Sequence, residues 1–157
     1  MAVKLANSIK SFTLLGLIIV IIIAGIPVFL ALTQYQQAME KSRLAEVKTN
    51  FRLLRKNAMA YYLKNGSFVS IANADLGIGA GLPGSCDPGH YYYYQINGVT
   101  DALVLLSAYR CVSGGKSPAY IGAQYRSWMY VYSDGAYSVG CQNIGESGNT
   151  RPWCAAY

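Results

Sequence analysis

The sequence predicts an α+β chain: one long N-terminal helix, apolar in its first half and amphipathic in its second, packed on a small antiparallel β-sheet with a disulfide-closed C-terminal loop. Three observations carry that expectation. The 157 residues are 53% hydrophobic with mean hydropathy +0.22, yet no charge occurs from Ser11 to Met39. An apolar stripe at helical spacing follows that run. Beyond residue 65 the composition turns to Gly, Ser and Tyr in short strand-like runs, and all four cysteines lie there. The length suits one modest domain rather than two.

From Phe12 to Leu32 the only polar side chain is Thr13. A helix over that stretch rises about 31 Å, the hydrocarbon thickness of a bilayer. A cleaved secretory signal has a shorter apolar region ending at a small-x-small site. This run passes instead into a charged helical pattern, so it reads as an anchor. Lys4 and Lys10 precede it and Glu40 is the first charge after it. The positive-inside bias then places the N-terminus in the cytoplasm and everything past about residue 33 outside.

Leu44, Val47, Phe51, Leu54, Ala58 and Tyr61 recur at steps of three and four, one face of a helix. Glu40, Lys41, Arg43, Lys48, Arg52, Arg55 and Lys56 are expected largely off that stripe. Asn65-Gly66 supplies the stop, with Lys64 at the negative end of the helix dipole. One helix from about residue 8 to 64 results, kinked near Gly25-Ile26-Pro27. At roughly 85 Å it is too long to be buried in its own domain. Half of it must find lipid or other subunits. The organisation expected is 1–11 as basic leader or cytoplasmic N-terminus, 12–34 as transmembrane or filament-core helix, 35–65 as amphipathic helix and 66–157 as head domain.

Residues 66–90 contain Leu76-Gly-Ile-Gly-Ala-Gly-Leu-Pro-Gly-Ser-Cys-Asp-Pro-Gly89 and read as a loop with little regular structure. Strands are expected at Tyr91–Ile96, closed by Asn97-Gly98, and at Leu103–Cys111. A hairpin joins Trp128–Tyr132 to Tyr137–Cys141 across Ser133-Asp134-Gly135-Ala136. Cys86, Cys111, Cys141 and Cys154 fall in the part assigned to the exterior, where an even number reads as two disulfides. Sequential pairing, Cys86–Cys111 and Cys141–Cys154, is the expected one of three connectivities.

Phe12-Thr13-Leu14-Leu15, opening an apolar helix after a short basic leader, resembles the N-terminus of type IV pilins and pseudopilins. Gly25 and Tyr35 fall where that family usually has glycine and tyrosine. Tyr35-Gln-Gln-Ala-Met-Glu-Lys-Ser-Arg-Leu-Ala-Glu46 is similar to its helix continuation, and Tyr61-Tyr-Leu-Lys-Asn-Gly-Ser-Phe68 to its helix end. The detailed likeness covers residues 10–68 and is architectural beyond them. It implies a pilin-like fold and a structural, non-enzymatic subunit of a type IV pilus-like filament. Such a subunit waits in the bacterial inner membrane and then polymerises through its apolar helix into an extracellular surface filament. Phe12, Leu15, Gly16, Ile22, Gly25, Pro27 and Tyr35 become filament-core and assembly positions. The implied partners are copies of itself, an assembly ATPase with its platform protein, and a prepilin peptidase. A type II secretion pseudopilin, a minor pilin and a non-polymerising single-pass anchored binding domain are the competing readings.

Two departures bear on processing. The family's peptidase normally cuts after glycine, whereas Ser11 precedes Phe12 here. The family's acidic residue, which neutralises a neighbour's terminal amine in the filament core, falls on Gly16. If the junction Ser11–Phe12 stays uncut, no free amine enters the core and no partner carboxylate is required. The family's usual helix proline falls on Thr33, with Pro27 six residues earlier.

Catalysis finds little support. His90 is the one histidine, and Cys86-Asp-Pro-Gly-His90 has no second ligand pair, so neither a metal nor another cofactor is expected. The acids beyond residue 65 are scattered, and Gly77-Ile-Gly-Ala-Gly81 lacks the strand and helix of a nucleotide loop. Of the net charge of +6, residues 1–65 hold +7 and residues 66–157 −1, so the excess lies next to the apolar run and nucleic acid is not an expected partner. Asn65-Gly66-Ser67 has the form of a glycosylation sequon, but the helix-cap reading is preferred.

Overall fold

The structure, a computed structural model, describes residues 14–116 and 124–144, without the side chains of 26–33 and of Asn143. The chain divides into two compact units, Met1–Gln37 and Ala38–Tyr157. Helix α1 is Leu14–Asn65, and its residues from Ala38 onward belong to the second unit. The kink expected at Gly25-Ile26-Pro27 falls where side chains lie outside the described set.

The second unit is α+β. Four antiparallel strands, β1 (Tyr92–Val99), β2 (Leu103–Arg110), β3 (Tyr125–Tyr132) and β4 (Tyr137–Asn143), stand in the order β1-β2-β3-β4. One face takes the helical stripe. Leu44, Val47, Phe51, Leu54 and Ala58 are buried against Tyr92, Tyr94, Val104, Leu106, Met129 and Val131. Each side chain fully withdrawn from water there contributes on the order of 1.5–3 kcal/mol. Alternation is the cause on the sheet side: residues of one parity on β1, β2 and β3 are buried, and those between them are largely half-exposed. Tyr93 accordingly lies outward of the buried Tyr92 and Tyr94, whereas Tyr91, just before the strand, packs against the core with the Arg43 guanidinium 5.2 Å from its ring.

The helix stop is built as the sequence suggests. Gly66 adopts φ 73°, which glycine alone tolerates freely, and its N–H returns to the Tyr62 carbonyl at 2.7 Å. Asn65 donates to the Tyr61 carbonyl and Ser67 to Asp101, so the sequon residues serve as a cap. The hairpin between β3 and β4 closes through Gly135 (φ 84°) and the Asp134 carboxylate, which accepts from the Ala136 N–H.

Two expectations change. Asn97-Gly98 does not end the first strand: a β-bulge between Ile96 and Gly98 absorbs the pair, and the chain turns at Thr100–Leu103. A bulge lets the ladder resume after one extra residue. The segment 66–90 is also more than a connector. A 3₁₀ turn at Asn73–Leu76 is held by the Asn57 side chain, and Phe68, Ile71, Leu76, Ile78 and Leu82 are buried in the core. The segment lies along the outer margin of β1, where the Tyr94 N–H donates to the Pro83 carbonyl and the Ile96 N–H to the Asn73 side chain.

Cys86 and Cys111 form a disulfide across 25 residues, a closure worth about 3 kcal/mol in the chain-entropy account. Cys141 is disulfide-bonded as well, while Cys154, its expected partner, lies outside the described residues.

Candidate functional site

The assembly positions read from the sequence do not converge on a pocket. Ser11 and Phe12 and the side chain of Pro27 lie outside the described residues. Leu15 is 68% exposed, Ile22 56% and Tyr35 64%. Gly16 is half-buried, and nothing lies within 4 Å of where a Cβ on Gly25 would stand. Every large apolar side chain from Leu14 to Ile23 is exposed. That segment therefore offers apolar surface around its whole circumference rather than along one stripe. Among the described residues no helix is long and apolar enough to cross a membrane.

The most constrained polar site sits in the second unit and was not expected. By its charge Glu40 is expected off the helical stripe, yet it is only 4% exposed. It stands four residues before Leu44, one more step of the same stripe, and this spacing carries it into the core. Arg110, the last residue of β2, is 1% exposed and meets it. Its Nε donates to Glu40 Oε2 at 3.1 Å and its Nη2 to Oε1 at 3.2 Å, the two-pronged geometry that a guanidinium matches to a carboxylate. The remaining Arg110 nitrogen donates to the Tyr91 and Cys111 carbonyls. Tyr125 donates to Glu40 Oε2 at 3.0 Å, Arg43 donates to Oε1, and the Tyr92 and Tyr125 hydroxyls share a hydrogen bond.

Each Glu40 oxygen thus accepts twice, which fills the carboxylate's acceptor positions. Burial pushes the Glu40 carboxyl up, but the hydrogen bonds and charge of Arg110, with Arg43 and Tyr125, outweigh it and hold the group below its ordinary value. Burial drives the Tyr92 and Tyr125 phenols upward, so both stay protonated and available as donors. A saturated carboxylate with no open position is a structural joint, not a general base.

A pH dependence follows from the depressed carboxyl. The folded value lies below the unfolded one, so the stabilisation is present above the ordinary carboxylate range and disappears as pH falls through the folded value. Urea midpoints are expected to hold steady from about pH 7 to 5 and to drop below about pH 4. Glu40→Gln should start lower at neutral pH and decline less steeply. An unchanged acid decline in that variant would assign the loss to other carboxylates.

Other predicted groups fall apart in space. Among the described residues no three metal-ligating side chains gather. His90 Nδ1 stands 3.4 Å from Glu46 beside an open hollow of about 470 Å³ over the glycine-rich segment. A groove of about 340 Å³ runs between α1 and the β3–β4 hairpin, floored by Phe51, Met129 and Val139 and rimmed by Lys48, Arg52 and Arg55. Arg55 is fixed there, with its guanidinium 4.2 Å above the Tyr137 ring and a hydrogen bond to the Gly135 carbonyl.

No family model matches the chain. No solved structure matches it.

Proposed function

We propose that this chain is a structural subunit of a type IV pilus-like extracellular filament, polymerising through its apolar N-terminal helix. In this reading the apolar and amphipathic halves act as one long helix, with the sheet domain carried on the outer half. The apolar half rests in the inner membrane before assembly and afterwards packs against the same half of neighbouring subunits. An assembly ATPase and its platform protein would drive the transfer, and a prepilin peptidase would act at Ser11–Phe12 if that junction is cut.

The observation that carries the reading is the exposure of the apolar side chains from Leu14 to Ile23. Soluble monomers rarely show contiguous apolar surface on this scale, and such surface marks a lipid or protein contact. Support also comes from the residue order: apolar opening, amphipathic continuation, Asn65-Gly66 stop, glycine-rich segment, then antiparallel sheet with disulfides.

The test is the intact, non-reduced mass of the protein recovered after shearing cells. Recovery in the sheared fraction is expected, with the mass reporting a start at Met1 or at Phe12. Confinement to membranes would overturn the filament reading in favour of an anchored domain.

A further inference from the structure

We propose that the face of the sheet turned away from α1 is a binding platform for an uncharged glycan chain. The solvated face of an antiparallel sheet is ordinarily polar. Here alternation sends aromatic rings to both faces. Tyr92 and Tyr94 go to the core, while Tyr93, Tyr109, Trp128, Tyr130 and Tyr132 take the outward positions of β1, β2 and β3. These rings touch one another. Tyr93 stacks on Tyr109 at 5.1 Å, Trp128 meets Tyr130 edge-on at 5.2 Å, and Tyr130 lies 6.4 Å from Tyr132.

The site is built into the backbone at one position. The six-membered ring of Trp128 occupies the space that a side chain at 140 would take: a Cβ on Gly140 would come within 2.1 Å of it. The indole therefore spreads across β4 instead of standing clear of the sheet. Beside the rings runs a row of amides and hydroxyls already oriented by their own hydrogen bonds. Asn97 donates to Ser107 Oγ at 3.1 Å and to the Tyr109 hydroxyl, and accepts from Gln95 at 2.7 Å. Turned to accept, the Gln142 amide oxygen meets the Arg126 guanidinium at 2.9 Å.

The chemistry of this face selects its ligand. Arg126 is the one charged side chain at its outward strand positions, and no carboxylate stands among them. A nucleic acid or acidic polymer would need several cations to neutralise it. A purely apolar partner would bury the amides and hydroxyls unpaired, at a cost for each. A sugar ring has an apolar C–H face for the indole and hydroxyls at its rim for the amide row, so it satisfies both sets at once. Trp128 to Tyr132 spans about 13 Å along β3, the reach of a short oligosaccharide. The inference stands apart from polymerisation, since it uses the second unit alone.

The experiment uses the full chain in a detergent without a sugar headgroup and carries Trp153→Phe, which leaves Trp128 as the single tryptophan. Cellohexaose, maltohexaose and chitohexaose are titrated while Trp128 fluorescence is followed. At least one is expected to give a saturable change, weakened about three- to tenfold by Tyr130→Ala, the scale of one lost ring contact. Gly140→Val, which evicts the indole, should abolish it. Should Gly140→Val fail to fold, Tyr130→Ala and Tyr132→Ser decide, with unchanged thermal unfolding as the control. No saturable response to any of the three sugars would overturn the proposal, as would equal binding by the variants. A stronger, salt-sensitive response to a thymidine decanucleotide would reassign the face to phosphate polymers. Loss of self-association in Tyr130→Ala without sugar binding would reassign it to contacts between copies.

Discussion

Arg110→Met is expected to destabilise the second unit by about 3–5 kcal/mol, the cost of stranding one member of a buried ion pair. Against a total of roughly 5–15 kcal/mol for a domain this size, that is a large share. The guanidinium serves four acceptors: both Glu40 oxygens and the carbonyls of Tyr91 and Cys111. Methionine fills much of the same volume but satisfies none of them. Arg43 and Tyr125 still reach Glu40, so the carboxylate is not wholly abandoned and the lower part of the range is favoured. The paired replacement Glu40→Leu with Arg110→Met removes both charges and should recover most of the loss, because well-packed apolar side chains replace a buried ion pair at little net cost. Urea unfolding of the two single variants and the double, followed by tryptophan fluorescence, measures the coupling. Losses below about 1 kcal/mol in Arg110→Met, or simple additivity in the double, would show that the joint matters little.

Leu15→Arg and Ile22→Arg are each expected to abolish filaments while leaving the second unit folded. Both side chains are more than half exposed in the single chain, so neither change disturbs an internal core. In a packed bundle of apolar helices the same positions would be dry. An unpaired guanidinium there costs several kcal/mol in every subunit, and the penalty repeats along the polymer. Insertion of the single helix into a membrane suffers less, because one arginine near the middle adds roughly 2.5–3.5 kcal/mol to an otherwise strongly apolar segment. The two fates separate cleanly: membrane-bound protein should persist while sheared protein disappears. Normal filaments in either variant would defeat the proposed packing.

How much of this was readable from residues alone depended on periodicity. The stripe 44-47-51-54-58-61 is regular; its first five positions are buried and Tyr61 is half-buried against the core. The hairpin at 133–136 carries its own turn chemistry, and it forms where expected. Irregular spacing defeats the same method. Phe68, Ile71, Leu76, Ile78 and Leu82 follow no single period, so the segment that contains them reads as a loop although it is packed into the core. The Glu40–Arg110 joint was missed for a different reason: charged residues were assigned outward by type. The signal was nonetheless present. Glu40 is in phase with the helical stripe, and Arg110 is in phase with Val104, Leu106 and Ala108 on β2. Opposite charges that each obey the apolar phase of their own element are candidates for one another.

The covered margin of β1 has a consequence for crowding. A sheet ends in a row of unsatisfied amides, and neighbouring copies held at high density, as in a membrane store, can zip together through such rows. With the Tyr94 and Ile96 amides already answered by residues of the same chain, two of the donors that a neighbouring strand would need on that border are taken. Strand-to-strand fusion of crowded copies is disfavoured along that border, because a neighbour would first have to displace Pro83 and Asn73.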